Sequence, residues 1–401
     1  MTRVLFLAHA FPRYENDPVG SFILRLAVVV RSVGFDVTVL APSGLDLRPD
    51  DTFEGIPVRR YRYAPRAWET LAYTGTMSAQ VAASWKGKAA IAGMLTSSLR
   101  AALSLNRAHP FELVHAHWWF PGGLTGLVVS RILGIPLVTT LHGSDIRLVT
   151  SVPGGRKLFR RVAGGSAAIT TVSSWLAAQA AAINPDVRPI VAPMPVPTQL
   201  FQPAGEHIAD RLLFVGKLTE QKGLHRLLHA MALMTSPVTL DVVGAGRVDD
   251  QHLRDLAATL GIADRVMWHP LLTQAALATF YARAAVHVIP AIDEGLGLTA
   301  VESLLSETPV VAFESGGVTD VVIDGETGVL VPPGDVGALA TALESLLADP
   351  DQLRRLGRRG REHALAMFGT DAVARQYGAI YRAALADAKG LGAGDDAIGI
   401  P

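Results

Sequence analysis

One stretch, from Val286 to Ser303, constrains what this chain can fold into more than any other. The apolar run Val286-His287-Val288-Ile289 stops at Pro290, which has no amide to donate and so ends strand pairing. Gly295 and Gly297 then leave a bare loop, and Thr299 with Glu302 has the spacing of a capping box that opens a helix. A buried strand, a loop and a helix therefore follow one another. The unpaired N–H groups and positive dipole end of such a helix would hold a phosphate over Gly297, Leu298 and Thr299. Glu294 precedes that anion site and Glu302 follows it, and carboxylates accept hydrogen bonds from hydroxyls. A nucleotide sugar, with two hydroxylated rings joined by a diphosphate, has this layout. An ordinary capped helix preceded by a solvated loop acid fits the same residues equally well.

The same order of elements opens the chain. Strand Val4–Leu7, a polar loop, a helix from about Ser21 to Ser32 and strand Asp36–Leu40 make a βαβ unit and imply a parallel sheet. Ligands of such sheets bind beyond the carboxyl ends of the strands, which directs attention to the His9–Gly20 loop. Pro57–Tyr63, with Arg66 and Trp68 behind it, mixes cations and aromatics and is expected to be an exposed edge strand. Lys+Arg and Asp+Glu both number 36, which argues against a general nucleic-acid binder. The chain has no cysteine, so disulfides and thiolate chemistry are excluded, and a cytoplasmic setting fits. No uncharged stretch is both long and apolar enough to span a bilayer, and any membrane contact is expected to be peripheral, at the inner face.

An Ala-rich helical region is expected from about Leu71 to Arg107. The alternation in Leu113-Val114-His115-Ala116-His117 puts two histidines on one strand face, a metal-like pair without a third ligand nearby, and no metal is expected. Trp118 and Trp119 follow where that strand ends and are candidates for stacking on an acceptor. Strand Leu137–Leu141 leads into His142-Gly143-Ser144-Asp145. A histidine at a strand's carboxyl end can reach a ligand, or can be an ordinary hydrogen-bonded loop residue. Asp145 is placed to orient the histidine or the turn.

Five prolines between Pro189 and Pro203 mark a linker, with a boundary near Thr198. At 401 residues two domains are expected: 1–198 and 199–370, then a crossover helix over 371–388 and a disordered glycine-rich tail over 389–401. The second domain restarts with strand Arg211–Val215 and Gly216-Lys217-Leu218-Thr219-Glu220-Gln221-Lys222-Gly223. Two cations on a glycine-flanked turn can neutralise a leaving diphosphate, although loop lysines are commonly just solvated. Gly244-Ala245-Gly246-Arg247 is another glycine turn, short of a dinucleotide fingerprint.

Glu294 and Glu302 have seven residues between them and are followed by Pro309-Val310-Val311-Ala312, Gly316-Gly317 and the block from Asp324 to Asp335. In this ordered run the chain resembles the retaining, nucleotide-sugar-dependent glycosyltransferases of family four. The resemblance implies the GT-B fold: two Rossmann-like domains with parallel sheets facing across a cleft, the last helix crossing back to the first domain. It implies a sugar passed from a nucleoside diphosphate sugar to an acceptor hydroxyl with retention, without a metal or other cofactor. The acceptor, a glycan, a lipid-linked sugar or a small natural product, would be taken by the N-terminal domain and the donor by the C-terminal one. Carried over residue by residue, the resemblance gives Glu302 the ribose diol and Glu294, with Gly295, the donor sugar's side. Lys217 and Lys222, beside Gly216, take the diphosphate, and the Gly297–Thr299 amides its distal phosphate. His142 takes the sugar or the reacting region, Gly20 lies near the diphosphate, and Trp118, Trp119 and Asp145 line the acceptor side. A sugar-nucleotide epimerase and a non-catalytic sugar-nucleotide-binding subunit are the alternatives.

Overall fold

The computed structural model describes residues 1–75, 77–205, 207–244 and 251–390. The chain divides into two compact units, one of Met1–Pro195 together with the chain from Val373 onward, the other of Val196–Ala372. The division falls inside the proline cluster.

The first unit opens with β1 (Thr2–Leu7), α1 (Ser21–Ser32) and β2 (Phe35–Pro42), followed by β3 (Asp50–Phe53) and β4 (Ile56–Tyr61). Helices α2 (Met77–Ala83) and α3 (Trp85–Ala108) lead to β5 (Leu113–His117), α4 (Leu124–Leu133) and β6 (Leu137–Leu141). Then come α5 (Ser144–Ser151), α6 (Gly155–Ala163), β7 (Ala168–Thr171), α7 (Ser174–Ile183) and β8 (Ile190–Val191). The sheet order is β3-β4-β2-β1-β5-β6-β7-β8, with every neighbour pair parallel except β3–β4. Val4, Leu5 and Phe6 of the central β1 have no exposed surface, as expected for a strand covered on both faces.

The second unit runs β9 (Ile208–Val215), α8 (Leu224–Leu233), β10 (Thr239–Val243), α9 (Gln251–Thr259) and β11 (Val266–His269). It continues with α10 (Gln274–Arg283), β12 (Ala284–Ile289), α11 (Leu298–Leu305), β13 (Val310–Phe313) and β14 (Gly328–Val331), and ends with α12 (Val336–Leu347) and α13 (Pro350–Phe368). Its six strands are all parallel, in the order β11-β10-β9-β12-β13-β14. All six residues of β12 are buried, His287 included, as expected for a strand covered on both faces. The last helix, α14 (Thr370–Ala388), lays Tyr377 and Tyr381 against His115 of β5, and the Tyr377 hydroxyl donates to the Ala192 carbonyl at 3.1 Å.

Several expectations need correction. The edge strand is β3, which pairs antiparallel with β4 and leaves the basic-aromatic strand second from the edge. One of its cations is internal, while Arg59 and Arg62 are exposed. Arg60 is buried and donates from Nη1 to the Tyr73 hydroxyl at 2.8 Å and from Nη2 to the Pro12 carbonyl at 2.5 Å. The helical region starts at Met77 rather than Leu71, because Leu71 and Ala72 are buried loop residues packed beside Tyr63 and Met94. Helices α5 and α6 flank Val152-Pro153-Gly154, a run whose turn chemistry reads as loop. The Gly244 turn, beyond Gly244 itself, and the tail from residue 391 lie outside the described residues. Among those described, no helix is long and apolar enough to cross a membrane.

Candidate active site

Each sheet reverses direction at its centre. In the first unit, successive connections leave β1 toward β2 on one side and reach β5 on the other; in the second the reversal lies between β9 and β12. Loops beyond the carboxyl ends of strands diverge at such a point and leave room for a ligand. The residues singled out from the sequence collect there in both units.

In the second unit β9 runs into Gly216 and Lys217, and β12 into Pro290 and Glu294. Lys217 is exposed, whereas Lys222 turns inward and its ammonium donates to Glu294 Oε2. The backbone that carries Glu294 is held from several sides. Gln221 accepts from the Ile292 amide at 3.1 Å and donates from Nε2 to the Asp293 carbonyl at 3.0 Å, while the Asp293 amide donates to Ser315 Oγ at 3.0 Å. The Glu294 carbonyl accepts from Gly317 N at 2.7 Å. Gly316 makes this possible: its φ is +73°, and a Cβ there would lie 2.3 Å from the Glu294 carbonyl oxygen.

The capping box is not formed. Helix α11 begins at Leu298, so Thr299 is already helical, and the cap position belongs to Gly297 with φ +85° and no side-chain cap. A glycine in the left-handed region lets the loop turn directly into the helix and leaves first-turn N–H groups at Leu298 and Thr299 without intrahelical acceptors. Glu302 is thereby released from capping. It is buried, with Oε2 accepting from the Tyr281 hydroxyl at 3.0 Å and Oε1 near Gln274 Nε2 at 3.5 Å. Burial, and then the Glu302 carboxylate, push the Tyr281 phenol well above its ordinary pKa, so it acts as a donor. His287, which the sequence reading passed over, is buried in β12 beside Tyr281, with neither ring nitrogen partnered and its pKa brought down to about 3 by burial.

In the first unit His142 follows β6, packed against Trp118 and Phe22 with ring centroids at 4.6 and 5.1 Å. Its Nε2 lies 3.1 Å from Nδ1 of His117, the last residue of β5. His115, two residues earlier, is occupied by the Tyr381 hydroxyl at Nδ1 and Thr140 Oγ1 at Nε2, both at 2.6 Å. It is thus a core histidine rather than half of a metal pair, and burial brings its pKa down to about 3. Among the described residues no three His, Cys, Asp or Glu side chains come together as metal ligands. The single Asp-x-Asp of the sequence, Asp349-Pro350-Asp351, is spent on α13, where Asp349 caps the helix and Asp351 pairs with Arg354.

The acceptor-side candidates are also corrected. Asp145 is buried, and its Oδ1 accepts from the amides of His142 and Gly143 at 3.2 and 2.9 Å. It shapes the turn that carries His142, and burial pushes its carboxyl up to about 6. Trp119, 1% exposed, donates its indole N–H to the Asp145 carbonyl at 2.8 Å, so neither residue offers a face to an acceptor. Trp118 is buried as well, packed between His9 and His142. Phe120 is the partly exposed member of that aromatic run. Gly20, with φ +72°, caps α1 and packs on the Ala10–Phe11 backbone, while Arg13 and the buried Asp17 tie the loop before it together at 2.6 Å.

Two parallel α/β units, each with a topological switch point at its centre, are the architecture of a GT-B glycosyltransferase, and solved structures agree. Sucrose-phosphate synthase from Thermosynechococcus elongatus superposes with a TM-score of 0.80 at 21% identity, over 95% of this chain and 98% of that one. Anabaena HepE, solved with UDP-glucose, gives 0.70 at 18% identity, over 94% and 98%. The family described as Glycosyl transferases group 1 matches residues 201–363, and the Glycosyl transferase 4-like domain matches residues 19–194. Among relatives, the MMP alpha-(1->4)-mannosyltransferase of Mycolicibacterium hassiacum is 34% identical over 313 residues, 73% of this chain and 75% of the relative. A D-inositol 3-phosphate glycosyltransferase of Streptomyces bingchenggensis is 31% identical over 323 residues, 72% of this chain and 70% of the relative. The chain belongs to the group 1 glycosyltransferases, with a 4-like N-terminal domain.

Proposed function

We propose that this glycosyltransferase moves a sugar from a nucleoside diphosphate sugar to an acceptor hydroxyl, with retention at the anomeric carbon and without a metal ion. The observation that carries the reading is the inward-turned Lys222 beside Glu294, next to the unpaired first-turn amides of α11. A cation and oriented N–H groups at one switch point stabilise the charge that develops on a departing diphosphate, the task a divalent ion performs in metal-dependent transferases. Lys217 adds a second cation, and Glu302 accepts from the ribose hydroxyls. Glu294 serves as a hydrogen-bond acceptor for sugar hydroxyls rather than as a covalent nucleophile, and retention follows from attack on the face the diphosphate leaves. Support for the donor class comes from HepE, solved with UDP-glucose, and from relatives named for mannosyl and inositol-phosphate glycosyl transfer. The acceptor is a hydroxyl, presented to the first unit, where His142 hydrogen-bonds a substrate oxygen.

The test is nucleoside diphosphate release from a panel of nucleotide sugars with EDTA present, comparing wild type with Lys222→Ala and Glu302→Ala. Turnover of one donor by wild type, lost in both variants, is the expected result. Release that requires an added divalent cation overturns the metal-independent reading, and an inverted anomeric signal in the product overturns retention.

A further inference from the structure

The pair formed by His117 and His142 has a hydrogen-bonding problem with one economical solution. His117 has no exposed surface, and its Nδ1 faces His142 Nε2 at 3.1 Å, with the two rings inclined by 29°. Its other nitrogen, Nε2, is buried with no hydrogen-bond partner. The neighbouring His115 cannot supply one, since both its nitrogens are engaged with Tyr381 and Thr140, and the remaining close ring is Phe6 at 5.1 Å. Burial holds both His117 and His142 well below the ordinary histidine pKa, so each ring is neutral and carries one N–H.

One hydrogen must sit between the two facing nitrogens, and two assignments satisfy that. If His142 donated from Nε2, the single proton of His117 would lie on its buried Nε2, an N–H with nothing to receive it. If His117 donates from Nδ1, its Nε2 keeps only an unused lone pair. Orphaned buried N–H groups are rarer than under-used acceptors. The second assignment leaves His142 with its own proton on Nδ1, the ring nitrogen outside the pair.

We propose that His117 is a positioning residue that locks His142 in the Nδ1–H tautomer, so that His142 meets the substrate as a hydrogen-bond donor rather than as a base. The tautomer is a property of the chain alone; its consequence for turnover rests on the reading that His142 contacts substrate. Imidazole side chains left to themselves favour the Nε2–H form, so the lock has to be supplied by a neighbour. Asp145 does not supply it, because the Oδ1 that reaches the turn accepts from backbone amides rather than from the ring.

Two readouts test this on the full chain. In two-bond proton–nitrogen spectra of uniformly 15N-labelled wild type near pH 7.5, His142 is expected to show a protonated Nδ1 and a bare Nε2. His117→Ala is expected to shift His142 toward Nε2–H, and His117→Asn, whose side-chain amide donates from about the place of Nδ1, to restore the wild-type pattern. A wild-type His142 protonated on Nε2 overturns the proposal without any variant. In turnover, His117→Ala is expected to lower kcat about 10–100-fold, as loss of an outer-shell partner does, with donor KM changed less than about threefold. His117→Asn should recover most of that loss; equal loss in both variants, with His142 tautomer unchanged, also overturns it. If instead the spectra come out as expected while His142→Ala retains full activity, the tautomer lock stands and the role assigned to His142 in the reaction fails.

Discussion

The two units put their chemistry at equivalent topological positions and build it from opposite materials. At the centre of the first sheet, His9, His115, His117 and His142 lie close together, with their pKa values lowered by burial, among Phe6, Phe22 and Trp118. At the centre of the second, a cation and a carboxylate meet at the switch point, and a further carboxylate is held by a tyrosine. A neutral imidazole cluster in a dry setting can aim single hydrogen bonds but cannot neutralise a diphosphate. An ion pair beside a helix N-terminus can do so. The proposed division of labour between acceptor side and donor side matches the electrostatics of each unit taken by itself.

The comparison breaks most visibly at Lys222. Lys222→Ala removes the inward cation and leaves Glu294 without its partner. A loss of about 10³-fold in kcat/KM is expected, of the size seen when one preorganised donor to developing charge is deleted. Loss below about tenfold would mean that the charge is stabilised elsewhere. His142→Ala should cost less, about 10²-fold, and should fall on kcat with donor Kd nearly unchanged, measurable by calorimetry alongside single-turnover rates. A variant that lost donor affinity instead would place His142 with the binding groups and erase the contrast between the units.

Much of this was legible in the sequence because it depends on local chemistry. Pro290, the apolar β12 run and the order of strand and helix are periodicity and backbone effects, and they placed Glu294, Lys222 and His142 at strand ends. What could not be read depends on which groups meet across the sheet. Thr299 and Glu302 have capping-box spacing, yet the neighbouring Gly297 takes the cap position because it alone tolerates the left-handed turn. Trp118 and Trp119 looked ligand-facing, but their packing partners His9 and Phe159 come from distant elements, whereas Asp145 shapes the neighbouring His142 turn, a role its place in the sequence already suggested. Alternation marked His115 and His117 as a pair. Only the register of β5 against β6, and α14 over both, shows that His115 is core while His117 reaches His142.

Acid should separate the units. A histidine whose folded pKa lies below 6.5 binds its proton more readily when unfolded, so its stabilising contribution is complete above about pH 6.5 and is lost as pH falls toward the folded value. For His115, brought down to about 3, and for its neighbours His9, His117 and His142, that window opens just below pH 6.5. Each such group withdraws about 1.4 kcal/mol per pH unit through it. The second unit has one fully enclosed histidine of this kind, His287. Five of the six tryptophans, at 68, 85, 118, 119 and 175, belong to the first unit and one, Trp268, to the second. Tryptophan emission is therefore expected to shift to the red at a higher pH than the loss of far-UV circular dichroism. Coincident transitions would show that the histidine cluster does not set the acid limit.

The smallest effect concerns the two helix starts. Helix α7 in the first unit is capped by Ser173, whose hydroxyl accepts from the Leu176 amide at 3.3 Å, whereas α11 in the second is capped by Gly297 with no side chain involved. Ser173→Ala should therefore cost about 1 kcal/mol, the usual value of a lost N-cap. Thr299→Ala, at a position where capping-box spacing would predict a similar loss, should cost less than about 0.5 kcal/mol, since alanine is the better helix former inside a first turn. Urea unfolding of the two variants beside wild type measures both. A Thr299→Ala loss equal to that of Ser173→Ala would mean that the threonine does cap α11 in solution. Glu302 would then be tied to the helix start as well, and less of its carboxylate would be left for the hydroxyls of a ribose.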